Sequence, residues 1–413
     1  MSTDADLATA SDEKQLTNGR LIEEEPKKSG DELLLPADSE QTPVLSVVMP
    51  TLDEEGGIGE CIDRIKNALE SLQLPGEIVV SDSSSDRTPE IARANGAVVV
   101  TPDQPGYGYA YRYAFERARG DYIAMGDADT TYDFEELPKL YELVATDEAD
   151  MAMGSRLEGE IRDGAMPALH QYVGNPLLTR FLNAFYDAGV SDAHSGMRVF
   201  SRDALDEMDL QTNGMEFASE MIMEAGARDL TIEEEPITYH EREGEATLES
   251  FRDGWRHVRF MLVNAPGYLF SVPGAIMMAA GLLVMLFAGT DVSVGATSFG
   301  IHSMLGGSLL TLVGAQVASL GVFATIAGNP VRRPNDLATN WILENATLER
   351  GATVGLVVLA VGAAYGAYLI SQWVASGYTV LPLLTADVVA FTAAVLGVQV
   401  VFNSFCLSAI ATE

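Results

Sequence analysis

Four runs of about 20 apolar residues dominate the second half of this 413-residue chain, near Tyr268–Ala288, Met304–Ala327, Thr353–Val374 and Val388–Ile410. As a helix, each is long enough to cross a hydrocarbon layer of roughly 30 Å. Charge is correspondingly scarce there. Residues 261–413 hold six acids (Asp291, Asp336, Glu344, Glu349, Asp387, Glu413) and three bases (Arg332, Arg333, Arg350). Four crossings place both chain ends on one side. The connection 328–352 carries the three arginines, and Arg252, Arg256 and Arg259 directly precede the first run. The connections 289–303 and 375–387 have no Lys or Arg. The positive-inside bias predicts a multi-pass protein of the cell membrane with its N-terminal part in the cytoplasm. On that topology the sequon Asn345-Ala346-Thr347 lies inside and is unused.

The first 260 residues have another character, with 54 Asp and Glu against 22 Lys and Arg in a chain of net charge −35. This excludes a general nucleic-acid binder, which needs a basic footprint. Lysine is rare: Lys14, Lys27, Lys28, Lys66 and Lys139 are the full complement. An acidic, lysine-poor surface repels itself unless strong salt screens it, which points to a salt-loving source with a saline cytoplasm. Cys61 and Cys406 lie in unlike contexts and imply neither a disulfide framework nor a thiolate metal site. Residues 1–42 are polar and acidic without an apolar period, and read as a disordered tail.

Order is expected from Val44–Met49 onward, within a domain spanning 43–247. Strand-like segments Glu77–Ser81, Ala97–Thr101, Tyr122–Gly126 and Asp150–Gly154 alternate with helical patterns near Ile58–Leu72, Pro89–Asn95, Gly108–Arg119 and Phe134–Val144. The pattern predicts an α/β fold with a doubly wound, mostly parallel sheet, followed by an all-α transmembrane domain of four helices. Ligands of such sheets sit at the carboxyl ends of the strands. The polar clusters fall there: Pro50-Thr51-Leu52-Asp53-Glu54, Ser81–Thr88, Gly106-Tyr107-Gly108, Asp127-Ala128-Asp129 and Gly154-Ser155-Arg156. Two carboxylates at i and i+2 on a strand end can approach one hard divalent cation that keeps positions open for phosphate oxygens.

Taken in this order, the clusters resemble the family 2 glycosyltransferases of the GT-A fold, which use nucleotide-sugars. Downstream, Asp192-Ala193-His194-Ser195-Gly196-Met197-Arg198, Gly214-Met215-Glu216-Phe217 with Glu220, and Arg242-Glu243-Gly244 look like the branch that makes polyprenyl-phosphate sugars, the dolichyl-phosphate mannose and glucose synthases. The resemblance covers about residues 44–260. It implies that Pro50, Asp53, Glu54 and Asp82 line the base and ribose pocket, with Gly106, Gly108 and Glu220 also on the donor side. It implies that Asp127 and Asp129 hold Mg²⁺ or Mn²⁺ against the diphosphate, with Thr131 at the third metal position. Arg156, Ser195, His170 and Arg242 would face the acceptor phosphate, and Asp192 the reacting centre. The chain also departs from the family. Ser81-Asp82 replaces an Asp-Asp pair, Tyr107 stands where a lysine is common, and Thr131 where Gln is frequent. His170 replaces an expected Arg, and Ala246-Thr247 lacks the closing Lys. These changes touch base preference and acceptor contacts, not the reaction class.

Two stretches suit a membrane surface. Pro176–Tyr186 presents Leu177, Leu178, Phe181, Leu182, Phe185 and Tyr186, and Leu248–Leu262 sets Leu248, Phe251, Trp255, Val258 and Leu262 beside three arginines. Residues 248–264 are thus expected to form a juxtamembrane amphipathic helix ahead of a membrane domain over 265–413. Gly362 and Gly366 form a G-x-x-x-G inside the third run. The implied reaction is inverting transfer of a hexose from a UDP-glucose-like donor or GDP-mannose to a polyprenyl (dolichyl) phosphate on the cytoplasmic leaflet, supplying lipid-linked sugar for protein glycosylation. Two other readings stand beside it, an inactive lipid-carrier scaffold or flippase and a processive polysaccharide synthase. The Q-x-x-R-W signature of the latter is missing from this sequence. Nothing in the sequence bears on oligomeric state.

Overall fold

Residues of β-branched and apolar type alternate along the first strands, and the sheet sorts them onto two faces. Seven strands build it: β1 Leu45–Thr51, β2 Gly76–Asp82, β3 Val98–Val100, β4 Tyr122–Met125, β5 Met151–Ile161, β6 Arg198–Ser201 and β7 Ile232–Tyr239. The computed structural model describes residues 27–243, 250–290, 293–294, 297–327, 348–379 and 384–411. Most of the expected tail, Ala246-Thr247 and the connection with Arg332, Arg333 and Asn345 lie outside these described residues. The strand order is β3-β2-β1-β4-β6-β5-β7. All pairings are parallel except those of β6, which runs antiparallel to both β4 and β5.

One face packs Val48, Val79, Ile123, Met125, Met151 and Met153 against helices α4 Tyr107–Phe115, α6 Asn175–Tyr186, α7 Arg202–Met208 and α8 Phe217–Ala227. The other packs Val47, Met49, Ile78, Val80, Ala124 and Ala152 against α2 Ile58–Leu72, α3 Thr88–Ala94 and α5 Leu137–Ala145. Both faces are covered, as a doubly wound sheet requires. Residues 27–42 correct the expected tail. A short helix, α1 Gly30–Leu33, follows Ser29, and Leu33 and Leu35 are buried. The Leu35 amide donates to the Gly76 carbonyl at 2.8 Å, and Arg119 donates to the carbonyls of Pro36 and Ser39. Three consecutive leucines are too short a run to carry a period, so the sequence gives no sign of this docking.

Two strands also went unread. β7 carries Glu233, Glu234, Glu235 and Pro236, a polar run acceptable only at a sheet edge, where it lies. Its pairing with β5 is interrupted: five steps along β5, from Ser155 to Glu160, match two along β7, from Pro236 to Thr238. This bulge lifts Arg156–Gly159 out of the ladder. Gly159 is required there, since a Cβ would sit 1.9 Å from the Ile237 carbonyl oxygen.

The membrane part comprises α10 Val272–Gly289, α11 Ile301–Ala327, α12 Leu348–Ala375 and α13 Thr385–Ala411. With the turn Gly267–Ser271 ahead of α10, these give four helices long and apolar enough to cross a membrane. α10 pairs with α11 and α12 with α13, and α11 joins the two hairpins to each other along α13. Polar side chains tie that seam: Ser308 Oγ lies 2.6 Å from Thr392 Oγ1, and Asn403 donates to Ser319 at 2.8 Å. One member of the G-x-x-x-G is used in packing and the other is not. A Cβ on Gly362 would meet Ala390 and Ala394 backbone at 2.6 Å, whereas Gly366 faces open space. The close approach uses Gly355 and Gly362, seven residues apart, rather than Gly362 and Gly366.

Helix α9 Ser250–Asn264 links the two parts. Met261 is buried in the α4–α8 core, the Tyr186 hydroxyl donates to the Asn264 carbonyl at 3.2 Å, and Phe185 stacks on Tyr268. The apolar face of α6, expected on the membrane surface, is therefore spent mainly on the domain: Leu178, Leu182 and Tyr186 are buried. Leu169, Tyr172, Val173 and Leu177 just before and at its start remain exposed.

Candidate active site

The polar ends of β1, β2, β4 and β5 converge with the loop before β6 and the segment after β7. Asp127 and Asp129 follow β4. The Tyr107 hydroxyl donates to Asp127 Oδ1 at 2.8 Å and the Tyr111 hydroxyl at 3.4 Å. Asp129 Oδ1 accepts from the Thr131 hydroxyl at 2.5 Å and from its amide at 3.2 Å. Thr131, expected beside a metal ion, here orients the carboxylate of Asp129. Across from the pair, Arg242 bonds Glu54 Oε1 and lies 3.5 Å from Asp129 Oδ2. Three carboxylates thus face one guanidinium. Burial, then the Asp129 charge, pushes the Asp127 carboxyl up to about 6. Burial also raises Glu54, against the opposing pull of Arg242. An under-compensated acidic cluster of this kind is a cation-seeking environment.

The loops after β1 and β2 lock together. Thr51 donates to Asp82 Oδ1 at 2.8 Å, Ser84 accepts from the Asp53 amide at 2.8 Å, and the Ser85 amide donates to Asp53 Oδ1 at 2.7 Å. Asp53 adopts a left-handed backbone with φ 57°. Pro50, Asp53, Glu54 and Asp82 are therefore brought to one rim. Gly106 and Gly108 serve close packing, since a Cβ on either would fall within 2.4 Å of the Asn213 or Thr212 carbonyl oxygen. Glu220 is buried with its two oxygens accepting from the amides of Gln211 and Thr212. It shapes that same 211–213 loop.

Arg156 and Asp192 meet each other. Arg156 Nε and Nη2 donate to the two carboxylate oxygens at 2.7 and 2.9 Å, and its amide adds a third bond at 3.1 Å. Although burial opposes it, the Arg156 guanidinium holds the Asp192 carboxyl below its usual range. Asp192, expected at the reacting centre, is fully buried with both carboxylate oxygens on Arg156. Arg156 also lines a cavity of about 250 Å³ with Leu157, Ile161, Gln171, Tyr172 and Pro176. His170 is not among its lining residues; its neighbour Gln171 is.

The loop from Ser191 to Gly196 is clamped at each residue. Glu234 accepts from the amides of Ser191 and Asp192, and Thr179 from that of Ala193. Arg198 donates to the carbonyls of Ala193 and Ser195 at 3.0 Å each, and Tyr132 accepts from the Gly196 amide at 2.6 Å. Gly196 abuts the aspartate pair, a Cβ there falling 3.2 Å from Asp127 Oδ2. Ser195 Oγ is buried without a protein partner. The sequence reading missed Glu234, Thr179, Tyr111 and Tyr132, which come from separate segments as ordinary residue types. Tyr107 was noticed only as a departure from lysine.

Residues 46–209 match the model of glycosyl transferase family 2, and residues 326–411 that of the glycosyltransferase family 2 C-terminal transmembrane region. The chain is 65% identical over 382 residues to the low-salt glycan biosynthesis hexosyltransferase Agl6 of Haloferax volcanii, covering 92% of each. The chain belongs to glycosyltransferase family 2. A second relative of this family 2 enzyme is the dolichyl-phosphate hexose transferase of Haloferax volcanii, 36% identical over 51% of this chain and 89% of that one. Among solved structures, glucosyl-3-phosphoglycerate synthase from Mycobacterium tuberculosis, in complex with Mn²⁺ and UDP, matches with TM-score 0.44 and 22% identity, over 58% of this chain and 85% of that one. The family 2 glycosyltransferase is a membrane protein with a GT-A-like domain, and its acidic, lysine-poor composition agrees with relatives from a halophile.

Proposed function

We propose that this enzyme moves a hexose from a nucleoside diphosphate sugar to a polyprenyl (dolichyl-type) phosphate at the cytoplasmic leaflet, with inversion at the anomeric carbon. The observation that carries the reading is the joining of two opposite sites by one clamped loop. At one end Asp127, Asp129 and Glu54 face Arg242; at the other Arg156 opens onto its cavity. The names of the two Haloferax volcanii relatives support a hexosyl group and a dolichyl-phosphate acceptor. Mean preference among donors leans to a UDP-sugar over GDP-mannose, with Pro50, Asp53, Glu54 and Asp82 around the nucleoside.

The residues fit a divalent ion. Asp127 and Asp129 would hold Mg²⁺ or Mn²⁺, which when bound supplies charge neutralisation for a departing diphosphate. Among the described residues no three His, Cys, Asp or Glu side chains are grouped to hold an ion by themselves; the other positions would fall to substrate oxygens. Arg242, now bridging Glu54 and Asp129, would turn to the phosphates. The acceptor phosphate carries about −1.5 to −2 charge near neutrality and attacks without a strong general base. That agrees with Asp192 being committed to Arg156. Arg156 and Ser195 would hold this phosphate, the planar guanidinium through paired donors. Exposed Tyr172 and Leu177 beside the cavity suit the first isoprene units.

The test incubates membranes in high salt with labelled UDP- and GDP-hexoses and dolichyl phosphate. A lipid product heavier by one hexose is expected. Asp129→Ala should abolish it, on the order of a thousandfold loss or more, while the protein stays folded and membrane-bound. Failure of every donor, or near-normal activity of the variant, overturns the reading.

A further inference from the structure

Helix α9 has two faces. On one, Arg256 Nε lies 3.4 Å from Glu216 Oε1, Met261 is buried in the domain core, and Asn264 receives the Tyr186 hydroxyl. On the other, Trp255, Arg259 and Val263 recur at every fourth position and are exposed. The helix then leads through Ala265 and Pro266 into the first membrane crossing. A helix with a stripe on the domain and an aromatic, basic stripe away from it is suited to lie between domain and bilayer.

His257 reaches from α9 toward the catalytic loop. Its Nδ1 is 3.0 Å from Ser219 Oγ, and Ser219 Oγ is 3.2 Å from His194 Nε2. The two imidazoles also meet edge to face with centroids 4.9 Å apart. Ser219 is fully buried, and His194 Nδ1 is sealed from solvent without a partner. Hydrogen bonding therefore fixes the His194 ring through Ser219. A hydroxyl has one proton, so Ser219 donates to one ring and accepts from the other, and the two tautomers are tied. His194 sits between Ala193 and Ser195, inside the loop that holds Asp192 against Arg156.

We propose that His257 is a positioning residue for the transfer reaction: through Ser219 and His194 it lets the seating of α9 between domain and bilayer set the loop carrying Asp192 and Ser195. This rests on the reading of the site given above. Misplacing a substrate-holding group by about 1 Å costs up to roughly a hundredfold in rate.

The full-length enzyme is reconstituted in lipid vesicles and assayed with hexose donor and dolichyl phosphate. His257→Ala should lower kcat by roughly ten- to a hundredfold, with donor KM and thermal midpoint unchanged. His257→Asn, whose amide can still reach Ser219, should recover part of the loss. The combination of His257→Ala with Ser219→Ala should be no worse than the more damaging single change, as for one shared path. An unchanged kcat in His257→Ala overturns the coupling. So do losses that multiply in the double variant, or a loss that follows the amount of folded protein and is not relieved by Asn. Wild-type inactivity with every donor overturns both this coupling and the functional reading, whereas wild-type activity with an indifferent His257→Ala overturns the coupling alone.

Discussion

Burial and the adjacent Asp129 charge raise the Asp127 carboxyl to about 6, against the hydroxyls of Tyr107 and Tyr111 that donate to it. The folded state then prefers the protonated form. Its contribution to stability is full below the unfolded value near 4 and is lost as pH rises through 6. A divalent ion at the pair competes with that same proton. Mn²⁺ should therefore raise the thermal midpoint by several degrees at about pH 8 and by distinctly less at about pH 5, and Asp127→Asn should erase the difference. Equal shifts at both pH values would remove Asp127 from the metal site. Asp127, Asp129 and Arg156 could be singled out because short motifs at strand ends carry them; Glu54 and Arg242 were singled out too, but for separate roles and not as partners. The partners that fix their geometry were not. Tyr132 and Thr179 act through one hydrogen bond each and Glu234 through two, from positions 14 to 64 residues from their targets, and nothing in their local sequence marks them.

Among elements, the membrane helices were the most legible, because a stretch of some 20 apolar residues has few alternatives. The central strands β1, β2 and β4 were legible for a related reason, being apolar on both faces. Strands β6 and β7 escaped because a four-residue strand beginning with arginine and an edge strand with three glutamates carry no clear period. Helix α6 shows the limit of amphipathicity: an apolar face indicates that something covers it, not whether lipid or protein does so. The membrane hairpins give a sharper case. Gly362 touches α13 backbone where any side chain must push helices apart, while Gly366, one turn on, meets nothing. Gly362→Val should destabilise the detergent-solubilised protein by about 1–3 kcal/mol, the usual cost of overpacking, and Gly366→Val should leave its melting point unmoved. Equal effects of the two substitutions would mean that the α12–α13 contact lies elsewhere.

At the scale of the whole molecule, two opposing consequences of charge must be weighed. Salt weakens ion pairs, and several here are exposed, such as Arg87–Glu55, Arg117–Glu116 and Arg162–Glu160. Exposed pairs contribute about 0–1 kcal/mol each, so little is lost by screening them. The best-made pair, Arg156–Asp192, is buried and largely beyond the reach of salt. Against this stands the repulsion among 54 acids offset by only 22 bases in the first 260 residues. That repulsion acts over the whole surface, and it fades as the screening length falls from roughly 10 Å at 0.1 M to 3 Å at 1 M. Repulsion outweighs attraction in the balance, so the melting temperature of the catalytic domain should climb with KCl between these concentrations and beyond. Concentrated salt can also strengthen apolar burial, and a charge variant separates the two causes. Glu90, Glu148 and Glu207 are exposed and are not among the site residues; changing all three to Lys removes six units of net negative charge. If repulsion is the cause, that variant melts higher in dilute salt and responds less steeply to KCl. If its salt response is as steep as that of the parent chain, the acidic surface is not what salt acts on.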